Sequence, residues 1–345
     1  MRQKNKKRTS VRYKFLKMLN GFLALVLAVM LAATAFAHML MNRMNHTDGS
    51  LESMSPEEVQ DYLSDQQAES DVDAPTVNEN DVNWGEKVDT LLGDSDHVVN
   101  ILLIGQDRRE GESRARSDSM ILVTVNTKTK EIVLTSFLRD LYVQIPGFKS
   151  NRLNASYAWG GMELLNDTLE QNFGIHVDGN VEVDFNQFAR IVDMLGGVEI
   201  ELRSDEAKLI NKEAGGNLSG GLQTLKGKET LAYTRIRKLD TNGDFSRTER
   251  QRKVIGALLT KVRKSDLFTL LGVVKDVLPM VTTDMTNTEI LGYATSMFPL
   301  LSGGDMSNQR IPADGTYQYA TVSGMSVLLA DMDANREILQ KTLGD

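Results

Sequence analysis

The sequence predicts an α/β domain, an α-β-α sandwich with a mixed central sheet, preceded by one transmembrane helix and an acidic stalk. Three observations predict it. From residue 97 onward, short apolar β-rich runs alternate with helical segments, the pattern of strands buried between layers. Two of those runs are joined by a five-residue polar turn, so part of the sheet is antiparallel. Near the N-terminus an apolar run of membrane-spanning length follows a basic tip.

The tip, residues 1–17, carries eight basic side chains and no acid: Arg2, Lys4, Lys6, Lys7, Arg8, Arg12, Lys14 and Lys17. The whole chain of 345 residues has a net charge of −8, so everything downstream of the tip is strongly acidic. Between Gly21 and Ala37 every residue except Thr34 is apolar or small, and the run reaches Met41 across His38. About 20 helical residues span roughly 30 Å, the thickness of a bilayer's hydrocarbon core. The basic flank keeps the tip cytoplasmic and exports the rest. Residues 18–41 are therefore expected to be a signal-anchor in the cell membrane. A cleaved signal peptide remains open, because Ala35-Phe36-Ala37 resembles a cleavage site, although the apolar run exceeds the usual length.

Residues 42–96 read as an acidic linker, because Lys87 is the one basic residue between Asp48 and Asp96 and few apolar residues interrupt the acids. Such a segment repels itself and extends. The extracytoplasmic domain is expected over 97–345. Val98–Ile104 is a strand buried on both faces and ends at Gly105. Ser119–Val125 and Glu131–Phe137 are two further strands, turning at Asn126-Thr127-Lys128-Thr129-Lys130. A helix is expected over Gly161–Asn172, a strand over Val181–Asp184, a helix over Phe185–Leu195 stopped by Gly196-Gly197, and a strand over Val198–Leu202. Gly227–Arg237, Arg247–Lys264, Leu267–Leu278 and Thr288–Met297 read as helices. Arg310–Ile311 and Tyr317–Val322 return to the sheet, and Asp333–Leu343 closes the chain as a helix.

The absence of cysteine excludes disulfides, thiolate metal sites and a cysteine nucleophile. His38, His46, His97 and His176 show no metal-ligand spacing. No Gly-rich loop ends in Gly-Lys-Ser/Thr, and no Gly-x-Ser-x-Gly elbow is present. What stands out instead is arginine and aspartate at the ends of predicted elements. Gly105-Gln106-Asp107 leaves the first strand. Arg114-Ala115-Arg116-Ser117-Asp118-Ser119 enters the next, and Ser136-Phe137-Leu138-Arg139-Asp140 leaves the third. Tyr233-Thr234-Arg235-Ile236-Arg237 precedes Asp244-Phe245-Ser246-Arg247-Thr248-Glu249-Arg250-Gln251. Taken singly, each is ordinary surface chemistry. An exposed Arg-Asp pair contributes about 0–1 kcal/mol, and Arg247, Arg250 and Gln251 could be the wet side of a helix. Their concentration in an otherwise acidic exported chain points to an anionic substrate, because the guanidinium fork matches phosphate oxygens. Asp107 and Asp118 offer hard oxygens suited to magnesium.

These clusters, in this order, resemble the LytR–CpsA–Psr family of cell-wall glycopolymer ligases. Asn154-Ala155-Ser156-Tyr157 with Gly160-Gly161, and Val192-Asp193-Met194-Leu195-Gly196-Gly197-Val198, add to the resemblance, which is dense over 97–264. Leu138 departs from it, standing where the family often has proline.

The resemblance implies a phosphotransferase that moves a glycan from a polyprenyl-pyrophosphate carrier to a peptidoglycan hydroxyl outside the membrane. By position, Asp107 and Asp118 would hold magnesium, with manganese as the alternative. Arg116, Arg139, Arg235, Arg237, Arg247 and Gln251 would grip the pyrophosphate, and Asp244 would organise the metal or the arginines. Asp118 or Asp140 would take the acceptor's proton. The lipid would lie along apolar residues of the helices at 161–173 and 185–195. Two rival readings share the site: a pyrophosphatase that uses water as acceptor, and a non-catalytic membrane-bound sensor of such lipids. A DNA-binding role has no support, because about 17 cytoplasmic residues hold no helix-turn-helix.

Overall fold

The computed structural model describes residues 34–50, 54–55, 59, 74–89, 91–106, 117–237, 239, 243–265, 272–273, 275–297, 300 and 304–343. They fall into two units, one ending at Met44 and one beginning at Asn45. In the first unit residues 34–41 are helical. The remainder of the expected 18–41 span lies outside the described residues, and among those described no helix is long and apolar enough to cross a membrane.

The second unit opens with β1 (Asn45–His46), β2 (Thr76–Val77), β3 (Val98–Gln106), β4 (Ser117–Asn126) and β5 (Glu131–Phe137). Then come β6 (Tyr142–Val143), β7 (Asn151–Arg152), helix α1 (Leu153–Phe173), β8 (Gly179–Asp184), helix α2 (Phe185–Met194) and β9 (Val198–Leu202). Helix α3 (Ser204–Ala214), β10 (Gly221–Leu225), α4 (Gly227–Thr234) and the long α5 (Gly243–Lys264) follow. The chain ends through β11 (Thr282–Thr283), α6 (Asn287–Met297), β12 (Asp305–Ile311), β13 (Tyr317–Val322), β14 (Met325–Ala330) and α7 (Met332–Leu343).

The main sheet is mixed, in the order β1-β11-β8-β3-β4-β5-β12. β3, β4 and β5 are antiparallel neighbours, while β8 and β12 flank them in parallel. The β4–β5 hairpin forms where expected. Asn126 Oδ1 accepts the backbone N–H groups of Lys128 and Thr129, both at 3.0 Å, and Lys130 takes a positive φ of 64° to close the turn. Strand alternation then divides the side chains between two cores. Leu102, Ile104, Met120, Leu122, Val133 and Phe137 pack with Trp159, Leu165 and Leu169 of α1 and Leu339 of α7. Ile121, Val125, Ile132 and Leu134 face Ile255 and Leu259 of α5 on the opposite side.

Several elements differ from the expectation. α1 is two helices meeting at non-helical Gly160 and Gly161: the second, to Phe173, is the one expected over 161–172, and the first, from Leu153, is additional. Gly161 sits at φ 71°, and a Cβ on Gly160 would meet Leu164 at 2.6 Å, so the pair allows a sharp break between the two helices. β13 does not return to the main sheet. It joins β14 and β2 in a three-stranded sheet of its own, whose apolar face packs Tyr142, Ala320, Val322 and Val327. α3, β10 and β14 are additional elements. The described parts of the expected 42–96 linker are also docked rather than extended. β1 pairs with β11, β2 pairs with β13, Trp84 stacks on Tyr142 at 5.6 Å, and Leu92 N–H donates to Gly174 O at 2.6 Å. A few apolar residues in an acidic stretch suffice once a neighbouring edge supplies backbone partners, which composition alone cannot reveal.

Candidate active site

At one end of the main sheet β3, β5, β8 and β12 finish and β4 starts, as the pairs Gln106–Ser117, Gln106–Asp184, Met120–Phe137 and Ile311–Phe137 show. Carboxyl ends of strands gather ligand-binding loops in α/β folds, and the expected site residues collect here. Asp118 enters β4, and Arg139 and Asp140 form the turn that leaves β5. Leu138 secures that turn. Its backbone N–H donates to Ile311 O at 2.9 Å and its side chain packs with Phe245 and Leu328, so proline here would lack this donor. The departure at Leu138 is thus absorbed by the neighbouring strand.

Asp244, Arg247 and Gln251 recur at i, i+3 and i+7 on α5, which brings all three to one helix face. That face is buried. Arg247 is 3% exposed and Gln251 9%, so the wet side of an ordinary helix is excluded as a description of it.

Arg139 Nη1 donates to Asp118 Oδ1 at 2.7 Å, and Arg247 Nη2 donates to the Asp118 backbone carbonyl at 2.8 Å. Arg247 Nη2 also reaches Asp244 Oδ2 at 3.2 Å. Arg139 Nε lies 3.8 Å from Asp244 Oδ2 and 3.7 Å from Asp140 Oδ2, and Arg237 Nε lies 3.9 Å from Asp244 Oδ1. Three guanidinium groups thus converge on Asp118 and Asp244. Arg235 stands to one side with its guanidinium 4.5 Å above the Phe185 ring. Asp107 and Arg116 lie outside the described residues.

The electrostatics suit an added anion. Burial pushes the Arg247 pKa down, and Arg139 and Arg237 add like-charge repulsion that Asp244 only partly offsets. Burial opposes the charge of Arg139 too, but Asp140, Asp244 and Asp118 outweigh it and raise its pKa. Burial would raise the Asp118 pKa, yet Arg139 and Arg247 hold the carboxyl below its usual range, so it is ionised. Burial dominates at Asp140 and pushes its pKa up despite Arg139 and Arg152. Arg139 Nε is buried without a hydrogen-bond acceptor, its nearest carboxylates at 3.7 and 3.8 Å, whereas Arg247 Nε faces Asp244 Oδ1 at 3.0 Å in an ion pair too bent to count as a hydrogen bond. A buried donor such as Arg139 Nε, costing about 1–3 kcal/mol unpaired, is what a bound anion would satisfy.

An ionised carboxylate such as Asp118 is chemically suited to a hard cation. Among the described residues, however, no group of three or more His, Asp or Glu side chains is arranged to hold a metal. Sequence reasoning missed Arg152, whose Nε lies 3.7 Å from Asp140 Oδ1 and donates to Ser326 O at 2.9 Å. It also gave no role to Ser119, the last residue of the Arg114–Ser119 cluster, whose hydroxyl donates to Gln251 Oε1 at 3.1 Å. Adjacency to recognised clusters was the only signal for either residue.

Ser119 and Gln251 line a half-open apolar cleft. Leu103, Ile121, Val181 and Val183 of the sheet form one wall, and Phe185 and Phe188 of α2 with Ile255 of α5 form the other. The helix expected at 185–195 lines this cavity. The one expected at 161–173 does not, because its apolar residues are spent in the core beneath the other sheet face. The lining is apolar while the mouth carries Gln251, Thr234 and the approach to Arg235.

A sequence profile of the LytR_cpsA_psr family matches residues 57–342. The chain is 40% identical over 187 residues to polyisoprenyl-teichoic acid–peptidoglycan teichoic acid transferase TagU of Bacillus licheniformis. That match covers 54% of this chain and 59% of the relative, less than two thirds of its length. Among solved structures, TagT bound to LIIa-WTA superposes with a TM-score of 0.60 at 28% identity, covering 76% of this chain and 99% of that one. YwtF (TagT) with bound octaprenyl pyrophosphate lipid superposes with a TM-score of 0.57 at 27% identity, with the same shares covered.

Proposed function

The chain belongs to the LytR–CpsA–Psr family, and from that premise we propose that it transfers a glycopolymer from a polyprenyl-pyrophosphate carrier to a peptidoglycan sugar hydroxyl. One observation carries the reading: an apolar cleft opens beside a buried cluster of arginines in which Arg139 Nε has no acceptor. A lipid pyrophosphate has that same division, a greasy tail joined to a dense double anion. The relatives named above include a teichoic acid transferase and a structure holding octaprenyl pyrophosphate.

In this reading the tail occupies the cavity between β3, β4, β8 and α2, and Arg235 marks its rim. Arg139 turns its buried Nε donor to the pyrophosphate oxygens, and Arg247, Arg237 and Gln251 supply charge and donors beside it, with Arg116 as a further candidate. The acceptor hydroxyl oxygen forms a bond to the glycan-bearing phosphorus, the bridging P–O bond breaks, and polyprenyl phosphate leaves. The hydroxyl proton passes to Asp140 or Asp118. The substrate's own anhydride supplies the driving force. Phosphoryl transfer needs little covalent help from the protein, so positioning and charge neutralisation supply most of the rate. Asp107 and Asp118 are the residues that would hold magnesium, which when bound neutralises phosphate charge. Asp244 organises the arginines. Residues 18–41 would anchor the chain in the cell membrane with residues 1–17 in the cytoplasm and the catalytic unit outside.

The test uses the full chain in detergent with magnesium, a polyprenyl-pyrophosphoryl glycan and a peptidoglycan oligosaccharide, with products weighed by mass spectrometry. A glycan–phosphate–peptidoglycan adduct that disappears with Arg139→Ala supports transfer. Free phosphoglycan without adduct would replace it with hydrolysis, and bound but unchanged donor would replace it with sensing.

A further inference from the structure

The donor side of the site is accounted for by the cavity at Ser119 and Gln251, so an acceptor must approach from elsewhere. On the side of the cluster marked by Asp140 and Asp244 the chain presents an aromatic ledge. Phe245, next to Asp244, packs against Tyr317 with ring centroids 4.8 Å apart, and Tyr317 meets the edge of Tyr319 at 6.0 Å. The Arg310 guanidinium lies 4.6 Å from the centre of the Phe245 ring. Tyr319 is 43% exposed. Backbone bonding fixes this ledge to the site, because Leu328 of β14 donates to Asp140 O at 2.9 Å and β14 pairs with β13 throughout.

We infer that Tyr319, with Tyr317 and Arg310, forms the platform on which a sugar of the acceptor glycan lies, presenting its hydroxyl to the Arg139–Asp118 site from the side opposite the lipid cavity. This rests on the transfer reading above. A pyranose has an apolar C–H face and a polar rim, and the ledge offers the complement: an aromatic face bordered by hydrogen-bonding groups. Arg310 Nε is buried without an acceptor, and its ion-pair partner Asp314 is 86% exposed and therefore easily displaced. The Tyr319 hydroxyl is raised in pKa by burial and by the charges of Tyr317, Asp244 and Asp140, so it stays a neutral donor at the edge of the carboxylates.

The experiment measures binding of a peptidoglycan tetrasaccharide to the full chain in detergent by saturation-transfer NMR, with polyprenyl pyrophosphate binding measured in parallel. Tyr319→Ala weakens tetrasaccharide binding about tenfold, the order expected for truncating an anchor residue, while polyprenyl pyrophosphate binding holds. Tyr319→Phe, which keeps the ring, restores most of it. Leu222→Ala, on exposed β10, serves as the control. Equal tetrasaccharide affinity in the intact chain and Tyr319→Ala overturns the platform, as does no binding by either. Adduct formation is scored separately. An intact chain that binds the sugar through Tyr319 yet forms no adduct keeps the platform and removes the transfer reading. An adduct insensitive to Tyr319 does the reverse.

Discussion

Arg139 Nη1 donates to Asp118 Oδ1 at 2.7 Å across neighbouring strands, while its Nε, buried, has no acceptor of its own. The side chain is therefore held at one end and available at the other. Arg139→Ala should lower the transfer rate about 10²–10³-fold, the usual cost of removing one preorganised donor to developing negative charge. Arg139→Lys should not restore it, because a point charge cannot hold Asp118 and reach phosphate with one rigid fork. Initial rates of adduct formation decide the matter; a lysine variant at wild-type rate would reject this role.

Asp140 makes a different prediction, about pH. Burial raises its pKa above the ordinary carboxylate value. If Asp140 accepts the acceptor's proton, only its ionised form works, so activity rises as pH climbs through that elevated value. The acid limb of the rate profile should then lie above the normal Asp range of about 3.9. Asp140→Asn should remove the limb along with most of the rate. A profile flat down to the ordinary Asp range assigns the proton elsewhere.

Arg252 is a liability to stability. It is 6% exposed, its Nε and Nη1 lack acceptors, and burial with the nearby Arg310 pulls its pKa down to about 10. Because the folded value lies below the unfolded one, the penalty is full at pH 7 and is relieved only as pH rises through about 10. Arg252→Met, similar in volume and uncharged, should stabilise the fold by about 1–3 kcal/mol. The shift in urea midpoint at pH 7 measures it, and a lower midpoint would show that Arg252 is better satisfied than its geometry indicates.

Glu206 and Arg250 make the opposite case. Their side chains meet at 2.8 Å, 7% and 5% exposed, joining α3 to α5, and Arg250 Nη1 also donates to Ile236 O at 3.2 Å, between Arg235 and Arg237. Glu206→Ala strands a buried cation and should cost about 3–5 kcal/mol. It should also loosen the segment that carries the two arginines, so pyrophosphate binding by the remaining folded protein should weaken. Chemical denaturation and donor titration test the two effects independently.

Much of the fold was legible because it is local. β5 and β9 appear with the expected bounds, since a β-rich run closed by turn residues needs no distant partner to be recognised. β10 was not legible. Gly221-Leu222-Gln223-Thr224-Leu225 is a short, half-exposed strand that, among the described residues, pairs with β9 alone, so nothing within the segment announces it. The docking of β1 and β2 was hidden for the same reason, since two-residue strands borrow their order from β11 and β13. At the site, the arginines and aspartates stood out by concentration, whereas Arg152, Arg310 and Tyr319 did not, each being a single such residue in a segment with no cluster of charge.

The sequence alone determined the chemistry available: guanidinium forks, hard carboxylate oxygens, no thiol, and their order along strands and turns. Covalent order and local periodicity carry that information. Tertiary structure decided which of those groups meet. It buried the polar face of α5 against β4, left Arg139 Nε without an acceptor, opened the cleft beside α2 rather than α1, and linked Tyr319 to Asp140 through Leu328 of β14. Those relationships depend on packing between segments more than a hundred residues apart, and no window of sequence contains both partners.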